Sequence, residues 1–250
     1  MIIDAHVHLW DVQKGCVHGK AVYPVGGGRS NVAGAIRQMV PPYMADGRNP
    51  VELLLSNMDF AQVNAAVVTQ EYLDGNQDAY LKRIRREYPD RIRVCSLYEE
   101  SDAVNYEGFD GVKICGEKLD SPLIKALPVC KEAERRGMFV AIDLAEGTSQ
   151  IPDLTEIIAA CPSLRITLGH FGMAGRKDWE KQIALAQNPH VYIESGGITW
   201  LYNSEFHPYP SAVEAVLRAK EICGIEKLMW GSDYPRTMTA ITYRMSLDFI

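Results

Sequence analysis

Short apolar runs alternate with amphipathic stretches along almost the whole chain, and this alternation constrains the fold more than any other feature of the sequence. The runs cover residues 2–8, 65–70, 91–98, 109–115, 138–145, 165–171, 191–196 and 227–233. Most of them carry apolar residues on both faces, which is the pattern of a strand covered on both sides. Between them the spacing predicts helices over 53–63, 77–88, 123–136, 154–160, 179–186 and 212–222, and a last one from 239 to the end at 250. Gly137 after Arg135 and Arg136, Pro162 after Ala160, and Pro210-Ser211 ahead of Ala212 mark helix ends and starts. Residues 98–108 are too few for a full helix, so the third crossover is expected to be abbreviated. Doubly covered strands joined by helices form a parallel sheet. Eight of them in 250 residues predict an α/β fold, a closed (β/α)8 TIM barrel filling 1–250 as a single domain.

One stretch departs from the pattern. Residues 11–52 carry Gly26-Gly27-Gly28, Pro41-Pro42 and little periodicity, and are expected to form a lid-like loop after the first strand. Composition narrows the function class. Lys plus Arg is 26 against 32 for Asp plus Glu, giving a net charge of −6 with no basic run, so a nucleic-acid partner is not expected. No apolar stretch approaches the ~20 residues of a membrane span, and MIIDAHVHLW lacks the basic start and long apolar core of a signal peptide, so a cytoplasmic protein is expected. The six cysteines form no C-x-x-C pair and are expected to be reduced. A chain of this length buries enough surface to fold without disulfides or a structural metal, so any metal would serve chemistry.

The chemistry concentrates where strands end. In Asp4-Ala5-His6-Val7-His8 the two histidines are two apart on a strand and project from the same face, as a divalent metal requires; hydrogen bonding to backbone or water is the other reading. The sixth run ends in His170 and the eighth in Asp233, again at carboxyl ends, where barrel enzymes assemble their active sites.

The combination of I-D-A-H-V-H-L-W, L-G-H-F-G and W-G-S-D-Y-P, in this order from Ile2 to about Pro235, resembles the amidohydrolase superfamily. It is most similar to the amidohydrolase-related branch, which includes aminocarboxymuconate-semialdehyde decarboxylase and sugar-acid or dicarboxylate lactonases. The resemblance implies the same barrel, with His6 and His8 as strand-one metal ligands, His170 as the strand-six histidine and Asp233 as ligand or general base. On strand five, where metal-binding relatives place a histidine, this chain has Asp143. The expected set is therefore His6, His8, Asp143, His170 and Asp233 around one divalent metal, zinc or alternatively manganese; a weakened or metal-free site is the other reading of that departure.

Asp233 and His170 are the expected catalytic groups. Trp10, Lys113, Glu194 and Arg236 are the expected substrate-binding residues, Lys113 being equally readable as a structural lysine and Glu194 as a hydrogen-bonded rim carboxylate. Arg29 and Arg176 lie on loops expected at the same rim, Trp200 and Tyr234 are candidate pocket walls, and His18, His190 and His207 receive no role. The implied activity is metal-dependent hydrolysis of a small carboxylated or polyhydroxylated lactone or amide. Nonoxidative decarboxylation and a catalytically silent binding barrel are the alternatives. A small-molecule substrate is the expected partner, and association into a homo-oligomer is left open.

Overall fold

The computed structural model describes residues 1–249. Its main sheet has eight parallel strands: β1 (Ile3–Val7), β6 (Ala65–Val68), β7 (Ile92–Leu97), β8 (Gly111–Cys115), β9 (Phe139–Asp143), β10 (Arg165–Leu168), β11 (Val191–Glu194) and β12 (Leu228–Met229), neighbours in that order. Backbone bonds join the last strand to the first: Ala5 N–H donates to Trp230 O (2.9 Å), Asp233 N–H to His6 O (2.9 Å) and His8 N–H to Tyr234 O (2.7 Å). The sheet thus curls into the (β/α)8 barrel, each predicted strand recovered in a shorter form.

The connecting helices are α1 (Val51–Ala61), α2 (Asp78–Glu87), α3 (Leu127–Arg135), α4 (Ile151–Ala160), α5 (Trp179–Ile183), α6 (Ile198–Leu201), α7 (Pro210–Cys223) and α8 (Tyr243–Asp248). The crossover from β7 to β8 holds no helix, as its length predicts. The longer helices bury a stripe at helical spacing, as with Leu154 and Ile157 of α4 or Ala212, Ala215 and Ala219 of α7. The stripes meet the outward faces of the strands, where Val112, Ile114, Val140, Ile142, Ile166, Leu168 and Ile193 are almost wholly buried. Each such side chain contributes roughly 1.5–3 kcal/mol by leaving water. The register pairs Lys113 with Ala141 and Cys115 with Asp143, so the inward face carries the polar groups.

The secondary structure of the region after β1 differs from the expected loop. Residues 15–38 form a four-stranded antiparallel sheet of β2 (Gly15–Val17), β3 (Lys20–Gly26), β4 (Arg29–Val32) and β5 (Ala35–Gln38). Three two-residue turns, His18-Gly19, Gly27-Gly28 and Ala33-Gly34, join them, and both residues of each have positive φ. That is the turn geometry whose twist matches an antiparallel hairpin. The sheet carries little core of its own, and all of β5 is exposed, so no apolar alternation announces it. No helix among the described residues is long and apolar enough to cross a membrane.

Candidate active site

The carboxyl ends of the strands surround a cavity of about 390 Å³, walled by His8, Asp143, His170, Asp233 and Arg236 from the barrel and by Arg37 from the small sheet. Two glycines explain the strand-end motifs. A Cβ on Gly169, just before His170, would fall within the Asp143 carboxylate, and one on Gly231 would lie 2.5 Å from Glu194 Oε2. Only hydrogen fits where these carboxylates cross the top of the barrel. His170 and Asp233 themselves adopt φ of 53° and 57°, in the left-handed region that His and Asp tolerate better than most residues. Such backbone persists only where its surroundings enforce it, and it turns both side chains over the barrel mouth.

Two groups of side chains meet at this mouth. In the first, His6 Nε2 lies 2.9 Å from His8 Nε2, His8 Nε2 lies 3.0 Å from Asp233 Oδ1, and His6 Nε2 lies 3.9 Å from the same oxygen. His6 Nδ1 donates to Glu194 Oε1 (2.8 Å), which leaves its Nε2 lone pair directed at His8 and Asp233. Trp200 Nε1 donates to Asp233 Oδ2 (2.8 Å) and fixes the remaining oxygen. Burial alone would raise the Asp233 pKa, but the hydrogen bond and charge of His8 outweigh it and hold this carboxyl well below the usual range. For His8, burial and the nearby Arg236 push the pKa down. His8 Nδ1 is buried with no hydrogen-bond partner among the described residues, 4.0 Å from Asp74 Oδ2.

These three residues fit a divalent metal. Tetrahedral bonds of about 2.0–2.2 Å place adjacent donor atoms about 3.4 Å apart, which the 2.9–3.9 Å spacings bracket. Two imidazole nitrogens and a carboxylate oxygen facing one another are the donor chemistry of such an ion, and each carries an outer partner that orients it or lies close by.

The second group is neutralised by the chain itself. Lys113 Nζ lies 2.5 Å from Asp143 Oδ1, and His170 Nε2 lies 3.4 Å from Asp143 Oδ2. Burial opposes both charges, yet Lys113 and then His170 hold the Asp143 carboxyl well below its ordinary range, while Asp143 lifts Lys113. Burial works against the His170 imidazolium too, but Asp143 outweighs it and its pKa is held up to about 9. Its Nδ1 faces the Gly196 carbonyl at 3.0 Å, an acceptor, so that nitrogen also carries hydrogen. His6, Asp143 and Glu194, and likewise Glu71, Cys115 and Asp143, bring donor atoms within 4.8 Å of one another. The carboxylates of those sets are already engaged, Asp143 by Lys113, Glu71 by Lys118 at 3.7 Å, and Glu194 by His6, the His170 N–H and the Gly196 N–H.

The family model for amidohydrolases matches residues 3–250. The chain belongs to the amidohydrolase family. This amidohydrolase is 26% identical over 272 residues to an uncharacterized protein of Sinorhizobium fredii, covering 94% of this chain and 84% of that one. Its fold is similar to that of a probable 2-pyrone-4,6-dicarboxylic acid hydrolase from Acinetobacter baumannii, solved with citric acid bound: TM-score 0.75, 19% identity, covering 99% of this chain and 90% of the other. It is likewise similar to a Burkholderia multivorans amidohydrolase solved with bound zinc: TM-score 0.68, 16% identity, covering 100% and 89%.

The remaining site residues of the amidohydrolase fall as follows. Arg236 walls the cavity, with Nη2 donating to both oxygens of Asp74 (2.8 and 2.9 Å) and Nη1 buried with no hydrogen-bond partner among the described residues. Trp10 does not reach the cavity lining; its ring lies beneath the Arg236 guanidinium, 5.7 Å away, and its Nε1 donates to Gly47 O. Lys113 is buried against Asp143 behind the wall, because the barrel register sets the two on adjacent inward positions. Glu194 is the buried carboxylate that ties His6, His170 and Gly196 together, so its oxygens are taken up by the protein. Trp200 walls the cavity, whereas Tyr234 is buried against Tyr243. Arg29 and Arg176 are exposed outside the cavity lining. His18 pairs with Asp120 on the surface.

Glu71 and Asp74 were not evident in the sequence. They follow β6, and the rule that polar residues just beyond a barrel strand face the active site points to both. Asp4 is a third such residue. Its Oδ1 accepts the Ser232 N–H (2.9 Å) and the His6 N–H (3.1 Å), and its Oδ2 accepts the Tyr243 hydroxyl (2.9 Å), locking the first strand to the segment that carries Asp233.

Proposed function

We propose that this amidohydrolase is a metal-dependent hydrolase of a small cyclic ester or amide that bears a carboxyl group, most simply a lactone. The observation that carries the reading is the convergence of His6 Nε2, His8 Nε2 and Asp233 Oδ1 on one point, at a cavity that Arg236 also lines. His6, His8 and Asp233 would hold the ion, zinc or manganese, with Asp143 serving as counter-ion to Lys113 and His170 and not as a ligand. When bound, a divalent ion supplies Lewis acidity, polarising a carbonyl and acidifying a water.

The chain's own groups divide the remaining work. Asp233 is ionised and accepts the proton of the attacking water, then returns it to the alkoxide or amine that leaves. His170, protonated at neutral pH, presents hydrogen to the oxygen on which charge develops. Arg236, whose side chain lines the cavity, offers its guanidinium charge to the substrate carboxylate. Its guanidinium is fixed by Asp74 and Trp10, so little side-chain freedom is lost on binding. Trp200 and the small sheet form part of the cavity wall.

A panel of carboxylated and hydroxylated lactones and cyclic amides, followed by acid release, tests the reading. Ring opening of a carboxylated lactone by the metal-loaded protein is expected, with Asp233→Asn lowering kcat by about 10³-fold. Carbon dioxide release from a carboxylated aromatic without lactone turnover, or near-full activity in Asp233→Asn, would contradict it.

A further inference from the structure

A buried polar chain runs from the small sheet to the arginine that faces the cavity. Ser30, on β4, donates its hydroxyl to Gln13 Oε1 (2.6 Å), and Gln13 Nε2 donates to Asp74 Oδ1 (3.2 Å). Both Asp74 oxygens accept from Arg236 Nη2 (2.8 and 2.9 Å). Ser30, Gln13 and Asp74 are each no more than 3% exposed, so water does not substitute for any link. The backbone follows the same route. Lys14 N–H donates to Asp74 O (3.2 Å) and Cys16 N–H to Tyr72 O (3.0 Å), and Gly15 packs so closely on the Leu73 carbonyl that no side chain fits between. The small sheet is therefore seated directly on the loop that carries Asp74.

We propose that Asp74 and Gln13 are positioning residues for Arg236, and that the grip of Arg236 on an acidic substrate group depends on the small sheet being seated. The inference rests on the reading of Arg236 as a carboxylate-binding residue. Asp74 takes one edge of the guanidinium and neutralises it in part. The other edge, Nη1, is buried with no hydrogen-bond partner among the described residues, and the guanidinium that lines the cavity is fixed by a carboxylate that cannot itself turn while Gln13 holds it. The cavity supports the same link from the opposite side, since Arg37, Gln38 and Met39 of the small sheet and the turn after it line the space that Arg236 faces. A sheet displaced from Asp74 loses the Gln13 bond and frees the Asp74–Arg236 pair to rotate away from the substrate. Binding and closure are then one event, without any residue of the sheet touching the reacting carbonyl.

A double-mutant cycle on the metal-loaded protein tests this, with benzoate as a monocarboxylate probe and its dissociation constant read by NMR titration. Gln13→Leu removes the link while keeping volume, and is expected to weaken benzoate about five- to tenfold in the wild-type background. Arg236→Met is expected to weaken it by about 30-fold, as loss of a charged hydrogen bond does. In the Arg236→Met background, Gln13→Leu should then change the constant by less than about twofold, because the positioned group is gone. Should Gln13→Leu fail to fold, Ser30→Ala cuts the same chain one bond further out and is expected to give about a two- to threefold loss with the same dependence on Arg236.

Equal losses in both backgrounds, or no benzoate binding by the wild type, overturn the proposal. Coupling without turnover of any lactone would defeat the hydrolase reading and leave this one standing. Lactone turnover without coupling would defeat this one alone.

Discussion

The two groups at the barrel mouth solve the same electrostatic problem in opposite ways. Around Asp143 the chain supplies its own cations: Lys113 and His170 flank a buried carboxylate, and all three sit in their charged forms. Around Asp233 it supplies two imidazoles and the Trp200 N–H, with no lysine or arginine among the described residues paired to the carboxylate. His6 and His8 present nitrogens to each other and to Asp233, and the nearby Arg236 is already committed to Asp74. A buried charge needs a partner within a few ångströms. One half of the site carries its own counter-charges, and the other, on the proposed reading, would take an ion from outside. The difference distinguishes a carboxylate paired with cations of the chain from one faced by two imidazoles, where the sequence shows only two aspartates at strand ends.

The comparison breaks most visibly at Lys113. Lys113→Met leaves Asp143 with half its neutralisation in a buried setting, and an unfolding free energy lower by about 3–5 kcal/mol is expected. Adding Asp143→Asn should recover most of that loss in denaturant titrations. Additive losses in the double variant would show that the pair is not self-contained.

The pH dependence of His170 sharpens the same contrast with a somewhat smaller effect. Its folded pKa, about 9, stands above the ordinary 6.5. The stabilisation is therefore fully present below 6.5 and lost as pH rises through 9, with an upper bound of about 3 kcal/mol. In chelator-treated protein, the stability difference between wild type and His170→Asn should shrink from pH 6 to pH 10. A constant difference would place His170 outside the neutralised group.

Most of the barrel was legible because buried parallel strands leave a simple trace, short runs rich in apolar residues with polar ones at the carboxyl end. His6, His8, His170 and Asp233 stand at those ends, and the fold brings all four together. The pairing of Asp143 with Lys113 was not legible, because it is set by the register of two strands, which aligns Cys115 with Asp143 and leaves Lys113 two pairs below. The small sheet escaped notice for a different reason. Its strands are largely exposed, so hydrophobic periodicity is faint, and only the dipeptides His18-Gly19, Gly27-Gly28 and Ala33-Gly34 betray it. Asp74 and Gln13 lie in loops, where a sequence shows residue type without direction.

Elemental analysis of the purified protein beside two variants bears most directly on the division between the halves. The account predicts about one divalent ion per chain in the wild type, its loss in His8→Ala and its retention in Asp143→Ala. An ion that survives His8→Ala, or that leaves with Asp143→Ala, would contradict it.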